Sequence, residues 1–289
     1  MSLSKTLQSP EILLQTAGKS FDEIKKILAA KGEEYYAQNP QESETIKDNL
    51  RAFGLPYDEE TVKEVRKNIV YHYVEKIFPI TGTPARLAEF IEKRVDFSAA
   101  KDLISSALKN GSVLIATPHF GGVECITPTI AYMKFSVNAV LKFTTQNFSD
   151  KARDFAKSME ESGLFAPINF IELGKPGSQG ALLMASVLKK KEILLSVFDE
   201  ETPYSKPVKL LGREVLGGAG LDKLLKFVSE NVSVFTVFMV RNGDNYEMKL
   251  LPIDAQSENP IQKMYENLEK ILTQNFVQWY FLHEEIGFA

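Results

Sequence analysis

One cysteine in 289 residues, Cys125, excludes an internal disulfide and any cysteine-rich metal site, and suits a reducing compartment. Histidine is almost as scarce, with His72, His119 and His283 the whole complement. No apolar run approaches the roughly 20 residues of a membrane span. The opening Met1-Ser2-Leu3-Ser4-Lys5 lacks the apolar stretch of a secretory leader, so a cytoplasmic location is expected. Positive charge is not in excess, at 34 Lys and Arg against 38 Asp and Glu, and the longest basic run, Lys189-Lys190-Lys191, reads as a solvated helix end. The electrostatic footprint of a nucleic-acid binder is therefore missing. No serine sits in a Gly-x-Ser-x-Gly elbow, no dinucleotide or P-loop fingerprint occurs, and no metal-ligand set recurs, so no cofactor is expected.

What is present is ample apolar material, 44% of the chain, enough for a substantial core. The first 110 residues read as a helical segment and residues 111–289 as an α/β domain. Ser20-Phe21-Asp22-Glu23 has capping-box spacing, and the helix it starts is expected to close at Gly32. Val62, Val65, Ile69, Tyr73 and Ile77 recur at spacings of three and four, one face of a helix, with His72 beside it as a structural or surface histidine. A further helix is expected from a Ser98 cap to Asn110-Gly111. Beyond it, strands are predicted at 113–117, 137–143, 168–173, 192–198, 232–240 and 245–252, and helices near 149–162, 178–191, 218–230 and 260–274. Asn242-Gly243-Asp244 reads as a hairpin turn, so the expected fold is a mixed sheet flanked by helices, preceded by the helical segment.

The strand Val113–Thr117 runs into Pro118-His119-Phe120-Gly121-Gly122-Val123-Glu124. Carboxyl ends of strands line the ligand crevice of open α/β sheets, and an imidazole there can exchange protons near neutral pH. Glu124 is a candidate to accept a hydrogen bond from one ring nitrogen while the other removes a proton from a hydroxyl or amine. Gly121 and Gly122 either let a substrate approach the backbone or simply allow a tight turn. Cys125 adjoins the pair but suits a small packed apolar residue better than a nucleophile. Asp199-Glu200-Glu201 follows another strand, either to hold substrate or as a solvated loop, and Gly217-Gly218-Ala219-Gly220 is either an anion cradle or a helix entry.

The block His119-Phe120-Gly121-Gly122-Val123-Glu124 resembles the His-x4-Asp/Glu motif of the lysophospholipid acyltransferase superfamily, in its lipid A late acyltransferase branch. Asp48-Asn49-Leu50-Arg51-Ala52-Phe53-Gly54-Leu55 resembles the Asn-Leu entry of that branch. Ser196-Val197-Phe198-Asp199 is similar to its strand ending in aspartate, Leu211-Gly212-Arg213 to its Phe-Gly-x loop, and Gln278-Trp279-Tyr280-Phe281-Leu282-His283 to its closing Gln-Trp-Tyr-Trp-x-His signature. The likeness runs collinearly over residues 45–283.

The resemblance implies a glycerolipid-acyltransferase-like fold and transfer of an acyl chain from an acyl carrier protein or coenzyme A thioester to a hydroxyl or amine. His119 would be the general base, Glu124 its orienting partner, and donors near Gly121 and Gly122 would hold the oxyanion, with no acyl-enzyme. Asp199 and Arg241 would contact substrate, Arg241 through an anionic group or else as a surface residue of the hairpin; Arg153 and Arg213 are weaker candidates of the same kind. Two departures stand out: the branch begins with a membrane-spanning helix, which is not seen here, and Asp199 leads into Glu200-Glu201-Thr202-Pro203 rather than a glutamine and an acid. Both favour an acceptor tethered to a carrier protein, or contact with only the membrane periphery, for which the N-terminal helices offer an amphipathic surface unless they pack on the catalytic domain. A thioester or ester hydrolase using the same residues, and a scaffold that binds a carrier protein, are the competing expectations.

Overall fold

A computed structural model describes residues 2–141, 146–173, 179–202, 205–218, 220–228 and 231–287. Helices span Leu3–Leu7 (α1), Pro10–Thr16 (α2), Phe21–Gln38 (α3), Pro40–Ala52 (α4), Glu59–Thr81 (α5), Pro84–Arg94 (α6), Ser98–Asn110 (α7), Ile126–Tyr132 (α8), Gln146–Glu161 (α9), Gly180–Lys189 (α10), Gly220–Val228 (α11) and Pro260–Asn275 (α12). Strands span Val95–Asp96 (β1), Ser112–Thr117 (β2), Val137–Leu141 (β3), Ile168–Glu172 (β4), Ile193–Val197 (β5), Ser205–Leu210 (β6), Arg213–Gly218 (β7), Val232–Asn242 (β8) and Asn245–Ile253 (β9). Seven strands form one sheet in the order β1-β9-β8-β2-β5-β3-β4, parallel except for the β8–β9 pair, so the sheet is mixed and flanked by helices. Residues 142 and 143 of the expected 137–143 strand, 178 of the 178–191 helix, and 219, 229 and 230 of the 218–230 helix lie outside the described residues.

Central strand β2 is buried at every residue, as a strand covered on both faces must be. Its chain leads to β3 on the far side of β5, while the connection from β5 leads back to β8 on the far side of β2. Such a crossover opens a crevice at the carboxyl ends of the two strands.

The capping box at Ser20 and Glu23 forms as expected, but α3 continues through Gly32 to Gln38. Gly32 serves packing instead: a Cβ there would lie 2.5 Å from Cγ2 of Val70, so its absence lets α3 and α5 close on each other. At the start of α7 the backbone N–H of Ser98 donates to Asp96 Oδ1, with Phe97 rather than Ser98 in the cap position. The hairpin β6–β7 was not anticipated. Leu211 and Gly212, with φ of +49° and +74°, make its two-residue turn, and Gly217 and Gly218 belong to β7 rather than to a helix entry. A Cβ on Gly217 would meet the Tyr265 ring at 2.9 Å, so that glycine allows the hairpin to lie on α12; Ala219 of the same motif is outside the described residues.

One apolar core runs from Leu3 to Leu282 and includes both the N-terminal helices and the sheet. Leu3, Leu7, Ile12, Phe21, Ile24 and Leu28 are all buried in it, so α1 to α3 pack their main apolar faces inward, with Leu14 left exposed. Residues before 110 also contribute β1, which pairs with β9.

Candidate active site

Strands β2 and β5 lie side by side with Thr117 opposite Val197. Equal steps past that pair reach His119 and Asp199, so the parallel register itself sets an imidazole beside a carboxylate at the carboxyl edge of the sheet. The bond between them is 2.9 Å, from His119 Nδ1 to Asp199 Oδ1. Oδ2 of the same carboxylate accepts the backbone N–H of His119 at 2.8 Å and the indole N–H of Trp279 at 3.3 Å. Three donors on a side chain that is only 1% exposed hold the carboxylate immobile. A carboxylate only accepts, so the ring proton is on Nδ1 and the lone pair on Nε2.

Nε2 looks toward the rim, with Glu200 Oε1 at 3.5 Å on a half-exposed side chain. Burial disfavours the His119 imidazolium, but Asp199, and beyond it Glu200 and Glu124, outweigh that effect, and the pKa lies above its ordinary value. His119 is thus a strengthened base with an 18% exposed side chain. Among the described residues the polar side-chain groups paired with its ring nitrogens are carboxylates; no hydroxyl or thiol nucleophile joins them. Cys125 is buried, and burial pushes its thiol well above the usual range, so it stays protonated and inert.

Glu124 does not orient His119. Its carboxylate sits 3.4 Å from His72 Nε2 and 3.5 Å from Lys76 Nζ, both carried by α5. The reason is local. Glu124 is the middle residue of a 3-10 turn, Val123–Cys125, and His119 is already committed to Asp199, so five-residue spacing turns the glutamate toward the neighbouring helix. His72, read from the sequence as structural or surface, is buried; desolvation, with Lys76 and His119 adding to it, drives its pKa well below normal and keeps it neutral. Its ring lies 4.5 Å from that of Tyr280, which in turn lies 6.1 Å from His119.

Asp199 is turned to His119 and Trp279, which occupy both of its oxygens. Arg241 is not a surface residue but is buried and bonded to protein groups. Its guanidinium grips Glu75 at 2.6 and 2.9 Å, donates to Asn68 Oδ1 at 3.0 Å, and donates to the Gly121 carbonyl at 2.5 Å. Tyr246 completes the group by donating to Glu75 at 2.8 Å. Burial raises the Glu75 carboxyl above the usual carboxylate range against the pull of Arg241, and the two-pronged geometry is that of an ion pair. The seam around Arg241, lined by His72, Gly121, Gln278 and Tyr280 among others, has no room for a water molecule.

Gly121 and Gly122 serve the turn. Gly121 has φ +57° and a Cβ there would lie 2.0 Å from the Met239 carbonyl oxygen; on Gly122 it would lie 2.7 Å from the Tyr246 ring. Their N–H groups donate to the carbonyls of Gln278 (3.0 Å) and Met239 (2.8 Å), so neither points at an oxyanion. Arg153 bonds Glu172 at 3.2 Å, and Arg213 donates to the Ala52 carbonyl at 2.8 Å, tying hairpin β6–β7 to α4.

The C-terminal segment clamps this turn. Phe120 bridges Trp279, the Tyr280 N–H donates to the His119 carbonyl at 2.9 Å, and the Gln278 amide brackets Arg241 by accepting its N–H and donating to its carbonyl, each at 2.9 Å. Phe281 meets the His119 ring edge-on at 5.1 Å. Sequence reasoning missed Glu75, Asn68 and the roles of Gln278 and Trp279. The one available signal was Glu75 itself, a carboxylate among Tyr71, Val74 and Phe78 on a helix whose apolar residues are otherwise buried. Comparison with protein-family models and with curated proteins gives no match to this chain.

Proposed function

We propose that the protein is an acyltransferase in which His119, oriented by Asp199, deprotonates an external hydroxyl or amine as it attacks an acyl thioester. One observation carries this: a base with its Nδ1 proton fixed by a buried carboxylate and its Nε2 turned outward, with no hydroxyl or thiol nucleophile bonded to it among the described residues. Such a pair has to act on a nucleophile that arrives with the substrate. The likeness to the lysophospholipid acyltransferase superfamily suggests the thioester donor, carried by acyl carrier protein or coenzyme A. It is the sole ground for that choice, and with it goes a lipid or carrier-tethered acceptor.

In the proposed step the acceptor oxygen or nitrogen forms its bond to the thioester carbonyl carbon while its proton passes to Nε2. The tetrahedral adduct then collapses with loss of the thiolate, which takes the proton back from the imidazolium. Asp199 keeps the ring in register and stabilises the imidazolium between the two steps. Glu124, paired with Lys76 of α5, is the partly exposed polar group on that side of His119, where an acceptor's polar groups would sit.

Water reaches an imidazole that is 18% exposed, which favours hydrolysis as the second reading. One assay separates the two. Purified protein is given acyl carrier protein and acyl-coenzyme A thioesters with and without cell-extract acceptors, and thiol release and product masses are followed against His119→Ala. Acylated product lost in the variant supports transfer; free acid alone supports hydrolysis; thiol release equal in the variant removes His119 as the base.

A further inference from the structure

We propose that the face made by α10 and α11 seats the protein on an anionic lipid surface. The chain as a whole is acidic, with a formal charge of −4, yet among the described residues the fully exposed charges on α10, on α11 and just after α10 are all positive. Lys189 ends α10, Lys190 and Lys191 follow it, and Lys223 and Lys226 lie on α11, every one exposed. Among the described residues the one carboxylate on either helix, Asp222, is buried, bonded to Lys206 and to the N–H of Ile261 at 2.9 Å. Helix α12 by comparison carries both signs, Lys263 and Lys270 with Glu266 and Glu269, and Lys263 pairs with Glu266.

Three large apolar side chains project from the same two helices, Leu182 at 66% exposure and Leu183 at 50% near the start of α10 and Phe227 at 69% near the end of α11. Phe227 lies 5.1 Å from Lys189 Nζ, an aromatic ring held beside an ammonium. Below it a half-open cavity of about 420 Å³ is lined by Lys189, Lys191, Lys226, Ser112 and Asn231, a size and chemistry suited to a phosphate-bearing headgroup. Cationic side chains interleaved with protruding aromatic and aliphatic ones are what an interfacial surface requires: the ammonium groups meet lipid phosphates and the apolar tips enter the acyl boundary. The apolar residues protrude singly along the two helices instead of lining a groove, which favours a bilayer over an acidic protein helix. β4 leads into α10, and the parallel strands all end at one edge, so Leu182 and Leu183 lie at the same edge of the sheet as His119. The proposal does not depend on the reaction assigned to His119.

The test is sedimentation of the full-length protein with vesicles of pure phosphatidylcholine and of phosphatidylcholine with 30 mol% phosphatidylglycerol. Binding at least tenfold stronger to the anionic vesicles is expected, falling tenfold or more at 0.5 M salt. Lys189→Glu/Lys191→Glu/Lys226→Glu should abolish most of it, and Phe227→Ser should weaken it several-fold with no change in charge. A control with the same charge change elsewhere, Lys5→Glu/Lys63→Glu/Lys101→Glu, should bind as the parent does, and all three proteins should unfold at the parental temperature. Equal binding to both vesicle types, parental binding by the α10–α11 triple variant, loss of binding in the control, or retention of an acidic protein without any vesicle binding would overturn the proposal.

Discussion

At His119 the decisive quantity is which carboxylate holds the ring. Asp199 lies 2.9 Å from Nδ1 and is buried, whereas Glu124 is turned to His72 and Lys76. Asp199→Asn should accordingly lower turnover by roughly two to four orders of magnitude, because an amide in that place can favour the wrong tautomer. Glu124→Gln should lower it by less than about tenfold, since that residue acts on the ring only through its field. Steady-state rates of the two variants in one assay check the order. The pH dependence follows from the same charges. His119 must be neutral to act as a base, and its pKa is raised, so the rate should climb through a midpoint above the ordinary histidine value. Glu200→Gln removes one of the charges that raise it and should move that midpoint down, which a pH–rate profile reads directly. For stability the signs divide. The raised His119 contributes stabilisation that is complete below its unfolded-state pKa and is lost as pH rises through the folded one. Buried His72 and His283, lowered chiefly by desolvation, withhold stabilisation as pH falls below their unfolded-state values.

Between elements, the His119 turn is held from two sides: by the Arg241–Glu75 pair, which joins β8 to α5 and reaches the Gly121 carbonyl, and by the Gln278–Trp279 clamp. Arg241→Ala would leave Glu75 as an uncompensated charge in a dry seam and should cost about 3–5 kcal/mol. Replacing both partners, Arg241→Met with Glu75→Leu, should recover much of that loss in denaturant unfolding while leaving turnover low, because the Gly121 carbonyl loses its donor. Gly121→Ala should be destabilising by about 1–3 kcal/mol or more, with its new Cβ 2.0 Å from a carbonyl oxygen and its φ in the left-handed region. Much at this scale was legible beforehand. Apolar runs flanked by turn residues gave the strands β2 to β5 and β8 to β9 nearly to the residue, and the strand ends pointed to His119 and Asp199. Their pairing was not legible, because it depends on the register of two strands 80 residues apart in the chain. Local spacing favoured Glu124 for the same physical reason that it misleads: sequence shows neighbours along the chain, and the partner came from across the sheet. The β6–β7 hairpin escaped notice because its turn is Leu211-Gly212 and its second strand ends in two glycines, signals that read as a loop.

For the whole molecule, the helical first third and the sheet share one core, and the first third supplies Glu75, Asn68 and the His72–Lys76 flank of the site along with edge strand β1. Residues 111–289 expressed alone would expose the faces that α3 to α6 cover and leave Arg241 without its partner. That fragment should lack a cooperative thermal transition, which calorimetry can check, while the full chain unfolds as one unit. Apolar composition and strand–helix alternation made the sheet-and-helix architecture readable, but not the depth at which the early helices enter the site. That depth rests on single residues such as Gly32, whose missing Cβ lets α3 close on Val70.

The most direct test of the central claim needs no substrate. Only three histidines titrate, so nitrogen-detected NMR of the imidazoles can follow each one across pH. His119 should carry its proton on Nδ1 when neutral and titrate above the ordinary histidine value, with His72 and His283 below it; Asp199→Asn should remove most of the elevation and Glu124→Gln only a small part. A His119 protonated on Nε2, or a pKa that falls with Glu124→Gln and is indifferent to Asp199→Asn, would contradict the account.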